Sequence, residues 1–96
     1  MSDVTVRDHR EESRFEVEVD GRLAGFSAYE LSDGVITFTH TEVDDAFEGQ
    51  GVGSTLVREA LDLVRADGGL RVRPLCPFVR AWIEQHPDYQ DLLRRR

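Results

Sequence analysis

The 96 residues are enough for one small domain with a modest core, and too few for two. The formal net charge of −7 argues against a general nucleic-acid binder, which would carry a basic face. No apolar run approaches the ~18 residues of a membrane span, and the single cysteine fits a reducing compartment. We therefore expect a cytoplasmic protein, a monomer or weak homo-oligomer, that uses neither nucleic acid nor membrane as a partner and has no metal site.

The first half of the chain predicts an antiparallel meander. Residues 3–12 mix two valines with charges and are compatible with a short edge strand. Residues 13–20 alternate apolar and charged side chains, which is typical of a half-buried strand. The pair Asp20-Gly21 indicates a hairpin turn, and residues 23–31 form the returning strand. Ser32-Asp33-Gly34 makes the next turn, and the β-branched stretch at residues 35–43 predicts a third strand.

The second half predicts a parallel crossover. Apolar residues recur at helical spacing from Val52 to Val64, and the glycines at 68 and 69 mark the end of this helix. Residues 70–74 form a short strand that, after a crossover helix, lies parallel to the third strand. Pro77 suits the first turn of a last helix, whose apolar face is predicted to be buried. That face consists of Phe78, Val79, Trp82 and Ile83.

These elements predict an α+β fold, α/β in part, over a single domain of residues 1–96. An antiparallel β-meander is joined to a parallel βαβ unit in the order β-β-β-α-β-α. The short turns between the first strands leave no space for parallel crossovers there.

Three glycines at alternate positions, Gly49, Gly51 and Gly53, separate the third strand from the long helix. A strand, a glycine loop and a helix N-terminus together expose unpaired backbone N–H groups to an anion. The loop lacks the lysine of a P-loop, and Ser54 stands where a Rossmann turn needs its last glycine. The loop therefore predicts a phosphate site of another kind, with a turn that binds nothing as the alternative.

The loop resembles the pyrophosphate loop of the GNAT acetyltransferases, which has Arg or Gln, two residues, Gly, one residue, and Gly or Ala. Gly51 and Gly53 match its last two positions, whereas Glu48 replaces the usual Arg or Gln. The resemblance extends to His-Thr-Glu-Val at residues 40–43, a Pro-x-Cys-x-aromatic motif at 74–78, and His-Pro-Asp-Tyr at 86–89. In order and spacing, nearly the whole chain is similar to minimal single-domain GNAT-like N-acetyltransferases.

This resemblance implies a substrate and a place for it. Acetyl-CoA would lie in a V-shaped opening between the parallel strands at residues 35–43 and 70–74, with CoA as product and an amine of unknown identity as acceptor. Its pantetheine would pair with the first strand, and its pyrophosphate would contact the glycine loop. The implied cofactor-binding residues are Val43, Glu48, Gly49, Gln50, Gly51, Val52, Gly53 and Ser54. The helices that cover the acceptor site in larger relatives, and their last strands, have no counterpart here.

Acetyl transfer requires a neutral amine, although a free alkylamine has a pKa of about 10.4. Glu42 and His40 are the candidate bases, because strand residues two apart point to the same face. A backbone N–H near Val43 or Asp44 is a candidate for polarising the thioester carbonyl. In structural terms, His40 can equally be a packed strand histidine and Glu42 a solvated carboxylate.

Cys76 precedes the start of the last helix, where helix N–H groups can lower a thiol pKa. It is a candidate acetyl-accepting nucleophile, proton donor to the leaving group, or small apolar wall. We expect direct transfer without a stable adduct on Cys76. Tyr89 lies beyond Pro87 and is expected to anchor the C-terminus rather than to act as an acid.

We therefore expect an acetyl-CoA-dependent N-acetyltransferase. The alternative is a non-catalytic acyl-CoA-binding module or interaction domain, which the absence of acceptor-side helices favours.

Overall fold

A five-stranded sheet runs through the structure, a computed structural model in which residues 3–94 are described. The strands are β1 (Val4–His9), β2 (Arg14–Val19), β3 (Arg22–Ser32), β4 (Val35–Val43) and β5 (Arg71–Pro74), and they are ordered in the sheet as in the chain. Pairing is antiparallel from β1 to β4 and parallel between β4 and β5. The helices are α1 (Val52–Asp67) and α2 (Pro77–Glu84), with 3-10 segments at Arg10–Glu12, Asp45–Phe47 and Pro87–Arg94.

The predicted α+β architecture, a meander joined to a βαβ unit, is confirmed, with one strand more than the predicted order. Residues 3–12 do supply an edge strand, because Val4 and Val6 pair with Val19 and Val17 of β2 and Val6 packs against the core. In the described residues, no helix is long and apolar enough to cross a membrane.

The hairpin turns and the helix stop follow the predicted glycines. Asp20 and Gly21 have φ values of 51° and 82°, and Asp33 and Gly34 have values of 53° and 77°. Two successive left-handed residues are the requirement of a tight type I′ hairpin. Gly68, at φ 82°, ends α1 in the same left-handed conformation.

The core lies between one face of the sheet and the two helices. Buried side chains of β2 and β4 meet the apolar face of α1, and α2 adds Val79, Trp82 and Ile83. Trp82 is therefore a core residue, as predicted. Phe78 is not: the residue is 46% exposed, so the prediction that it belongs to the core is wrong.

A bulge divides β4 into two halves. Tyr29 pairs with Phe38 and Ala28 pairs with His40, so Thr39 is an extra residue on β4. Since successive strand residues point to opposite faces, one extra residue changes which of them face the core. Before the bulge Phe38 is buried in the core, and after it Thr41 and Val43 point to that same face.

The two parallel strands part after Phe38. Pairing with β5 runs from Val35 to Phe38, and the Phe38 carbonyl then accepts hydrogen bonds from the N–H groups of Leu75 and Cys76, at 3.0 and 2.9 Å. The chain turns there into α2, while β4 continues to Val43. Within the described residues, the second half of β4 has no neighbouring strand on that side, which leaves it a free edge.

The sheet face opposite the helices carries one buried carboxylate. Glu16 is only 4% exposed and accepts hydrogen bonds from Arg14 (2.8 Å), His9 (3.0 Å) and Arg7 (3.4 Å), and the Arg14 guanidinium also lies over the Phe26 ring. Burial alone would raise the pKa of Glu16. The hydrogen bonds and positive charges of His9 and Arg14 outweigh it, and the pKa lies below its ordinary value.

Candidate functional site

The free edge of β4 presents the backbone groups of two residues. The Asp44 N–H donates to the Ala24 carbonyl of β3 at 2.7 Å, so it points into the sheet. Because N–H groups of successive strand residues point to opposite edges, those of Val43 and Thr41 point to the free edge. The prediction that the Asp44 N–H could polarise a carbonyl is therefore wrong, since this N–H already donates a hydrogen bond to β3. Val43 N–H keeps the correct direction for that role.

The glycine loop sits at the end of this edge and opens the N-terminus of α1. Gly49 and Gly51 adopt left-handed φ values of 79° and 73°, and a Cβ at either position would meet nothing within 4 Å. The first helical hydrogen bond runs from Thr55 N–H to Gly51 O at 3.0 Å, and no side chain caps the helix. The N–H groups of residues 52–54 are thus left without a helical acceptor, as an anion site requires.

Strand edge and helix start meet at Gly53. A Cβ placed on Gly53 would lie 3.4 Å from Cγ2 of Val43 and 2.9 Å from the ring of Phe78. Phe78 therefore lies against the glycine loop, where the missing side chain leaves space for its ring. Helical spacing alone could not indicate this contact, since Phe78 has the same spacing as the core residues of α2.

Cys76 lies beneath the opening and is buried, with 3% exposure. Its thiol donates to the Thr41 hydroxyl at 3.4 Å, and that hydroxyl is 2.9 Å from the buried Ser27 hydroxyl. Cys76 is the N-cap residue of α2, but its side chain makes no capping hydrogen bond. Thr41, which sequence reasoning did not single out, therefore links Cys76 to the sheet. Its alternation with His40 and Glu42 was the available signal.

Glu42 and His40 point to the opposite face of β4, toward the side without helices. Their side chains are 64% and 61% exposed, and His40 Nε2 is 3.7 Å from Glu42 Oε1. The predicted pair is thus brought together. β4 stands between it and Cys76, because Thr41, which contacts Cys76, points to the other face.

Glu42 also borders a groove of about 630 Å³ at the end of β3 and β4. Phe26 and Leu23 give this groove an apolar wall, and Asp44 and Asp45 add two further carboxylates. Gly25 lets the two strands approach closely, since a Cβ there would overlap the Glu42 carbonyl oxygen.

Tyr89 lies away from these groups. Its hydroxyl donates to Asp62 of α1 at 2.9 Å, and burial together with this hydrogen bond raises the pKa of Tyr89. A phenol held in this way against α1 anchors the C-terminal segment, as predicted.

Comparison with known proteins identifies the family. The model of the GCN5-related N-acetyl-transferase family matches residues 14–92, which include β2 to β5 and both helices. The chain belongs to the GCN5-related N-acetyltransferases. The match includes the glycine loop, the free edge of β4 and Cys76.

Individual proteins similar to this chain include two curated relatives and one solved structure. The chain is 28% identical over 96 residues to protein NATD1 of Xenopus tropicalis, covering 97% of this chain and 86% of that protein. It is 33% identical over 60 residues to protein NATD1 of Bos taurus, spanning 62% of this chain and only 52% of that protein. The solution structure of a GCN5-like putative N-acetyltransferase from Staphylococcus aureus superposes with a TM-score of 0.70 at 26% identity, covering 96% of this chain and 89% of that one.

Proposed function

We propose that this protein is an acetyl-CoA-dependent N-acetyltransferase that moves the acetyl group directly to an amine. The observation that carries the proposal is the placement of the free edge of β4 beside the uncapped N-terminus of α1, with Val43 next to Gly53. The free edge of β4 offers backbone N–H and C=O groups for pairing, and the N-terminus of α1 offers N–H groups to an anion. Acetyl-CoA combines an amide-rich pantetheine arm with a pyrophosphate.

In this proposal the pantetheine amides pair with the free-edge groups of Thr41 and Val43. The pyrophosphate is held by residues 48–54, chiefly through backbone N–H groups at the positive end of the α1 dipole. Left-handed glycines with open space beside them favour this assignment, because a phosphate can then approach the backbone closely.

The transfer step is a substitution at the thioester carbonyl. The lone pair of the neutral amine attacks the carbonyl carbon, and the developing oxyanion is stabilised by the Val43 N–H. The C–S bond then breaks and CoA leaves as a thiolate that takes up a proton. Glu42, with His40 beside it, removes the amine proton directly or through a water, which suits their exposure on the acceptor side.

Cys76 serves in this proposal as part of the wall beneath the thioester rather than as the nucleophile. The thiol is buried and its hydrogen is directed to Thr41. A covalent route would need the thiol exposed to the acetyl group and activated by a base, and the thiol contacts a hydroxyl instead.

A non-catalytic acyl-CoA-binding module is the second candidate. It is favoured by the open face of β4, where Glu42 and His40 are more than half exposed and both described α-helices pack on the other side. The single cysteine favours a reducing compartment, and for either candidate we propose the cytoplasm and a monomer or weak homo-oligomer, with no role for nucleic acid.

Calorimetric titration with acetyl-CoA, followed by thiol-release assays over a panel of amines, separates the candidates. The proposed enzyme binds acetyl-CoA and releases free CoA at a rate that depends on the amine. Binding with no acceptor-dependent release would select the module, and no binding at all would overturn both.

A further inference from the structure

Ser54, the third residue of α1, holds a hydrogen bond that leaves its proton free. The Trp82 indole Nε1–H donates to Ser54 Oγ at 2.9 Å. An indole nitrogen can only donate, so the Ser54 oxygen must be the acceptor, and its own O–H is turned elsewhere. Within residues 3–94, this hydroxyl donates no hydrogen bond to a protein acceptor, a backbone carbonyl included.

The direction of the indole is fixed by its surroundings. His86 stacks on the Trp82 ring with a centroid distance of 3.7 Å and an interplanar angle of 8°, and its Nδ1–H donates to the Trp82 carbonyl at 2.6 Å. The ring of Tyr89 packs edge-on against Trp82 at 4.9 Å. A 6% exposed indole with these contacts has little freedom to turn its N–H away from Ser54.

We propose that Trp82 is a positioning residue for the phosphate site: it fixes the Ser54 hydroxyl so that its proton joins the N–H groups of residues 52–54 as a further donor to the pyrophosphate. The inference rests on the proposed binding of CoA at the glycine loop. An unanchored serine at a helix start can donate its proton to a backbone carbonyl three or four residues earlier. Anchoring by Trp82 removes that competition before the anion arrives.

The test is a double-mutant cycle with CoA measured by calorimetry. Trp82→Phe keeps an aromatic ring, although a smaller one, and removes the N–H, and Ser54→Ala removes the hydroxyl. We expect each single variant to weaken CoA binding by about fivefold or more, since a hydrogen bond to a charged group is lost or misdirected. The double variant should bind like Ser54→Ala alone, because Trp82 acts only through Ser54. An equal further loss on adding Trp82→Phe to Ser54→Ala would overturn the inference.

Two controls separate positioning from general packing. Tyr89→Phe keeps the ring on Trp82 and removes only the contact with Asp62, so CoA affinity should be unchanged. S-acetylpantetheine, which lacks the pyrophosphate, should bind wild type and both single variants equally in an NMR titration. Weaker binding of this fragment to Trp82→Phe would mean that Trp82 shapes the site generally.

The wild-type protein provides a test that needs no folded variant. Trp82 is the only tryptophan of the chain, so its indole N–H gives one assignable NMR signal. That signal should move on addition of CoA or inorganic pyrophosphate and stay in place with S-acetylpantetheine. A fixed signal with bound CoA overturns the role of Trp82 alone, whereas wild type with no affinity for CoA overturns the proposed function itself.

Discussion

Glu48 is the loop residue whose charge opposes the proposed ligand. It is exposed and stands where related loops carry Arg or Gln. We predict that Glu48→Gln tightens CoA binding about threefold at low salt, because a repulsion from the phosphates is removed, and that the gain shrinks as salt screens it. Calorimetry at two salt concentrations measures this. Glu30→Gln, at an exposed position on β3, is the control and should change nothing. An unchanged affinity for Glu48→Gln would place the phosphates elsewhere.

Glu42 and His40 carry the proposed proton transfer. Glu42→Gln should lower turnover by about a hundredfold or more while CoA affinity is kept, since loss of a general base costs that much. His40 Nε2 lies 3.7 Å from Glu42 Oε1. If His40 only supports Glu42, His40→Gln should lower turnover less than Glu42→Gln does. The measurement is the pH–rate profile of each variant and of wild type with one amine acceptor. Rates and profiles matching wild type would show that the amine arrives neutral from solution.

Cys76 separates the direct from the covalent route. Because the thiol is buried and bonded to Thr41, we predict no acetyl adduct after mixing with acetyl-CoA and only a modest rate loss for Cys76→Ala. Intact-protein mass spectrometry detects an adduct directly. A stoichiometric acetyl shift on Cys76 that an amine removes would establish the covalent route instead. Cys76→Ser, which keeps a small polar side chain, is the matched variant.

At the scale of elements, the close approach of β3 and β4 depends on Gly25. A Cβ there would overlap the Glu42 carbonyl oxygen and lie 3.0 Å from the Val43 Cα. Gly25→Ala should therefore lower the free energy of unfolding by about 1–3 kcal/mol, the usual cost of overpacking. Chemical denaturation measures the change. Gly69→Ala, where a Cβ would meet nothing within 4 Å, is the control and should stay within about 0.5 kcal/mol. Similar losses in both variants would contradict the steric argument.

The sequence predicts the elements better than it predicts their contacts. The hairpin glycines, the helix stop at Gly68 and the strand of residues 35–43 follow from local chemistry, so each was confirmed. The bulge at Thr39 leaves no such trace, because threonine suits a regular strand as well as a bulge.

The candidate site shows the same division. The shared face of His40 and Glu42 follows from strand alternation alone and was confirmed. The exposure of Phe78 and the pairing of Asp44 N–H with Ala24 depend on which element lies opposite, and no local pattern encodes that.

At the scale of the whole molecule, Glu16 links folding to pH. Its pKa is lowered in the folded state, so its contribution to stability is present above the unfolded pKa, ordinarily about 4.5, and is lost as the pH falls through the folded value. We predict that the stability difference between wild type and Glu16→Gln shrinks when the pH is lowered from about 5 to about 3. Denaturation at several pH values tests this. Glu18→Gln, on the same strand, is the matched variant without these hydrogen bonds. A constant difference for Glu16→Gln would contradict the linkage.

The bulge at Thr39 shifts the alternation of inward and outward side chains along β4 by one residue. Compared with a regular strand of the same sequence, each residue after Thr39 points to the opposite face of the sheet. If Thr39 were instead taken into a regular strand without the bulge, the side chains of His40 and Glu42 would turn toward the helices and those of Thr41 and Val43 toward the open face. A relative that lacks the extra residue therefore keeps the base and the wall on the faces they have here, whereas a relative with a regular strand of the same length exchanges them. When the roles of residues 40–43 are compared with those in relatives, positions should be counted forward from the bulge and not from the beginning of the strand.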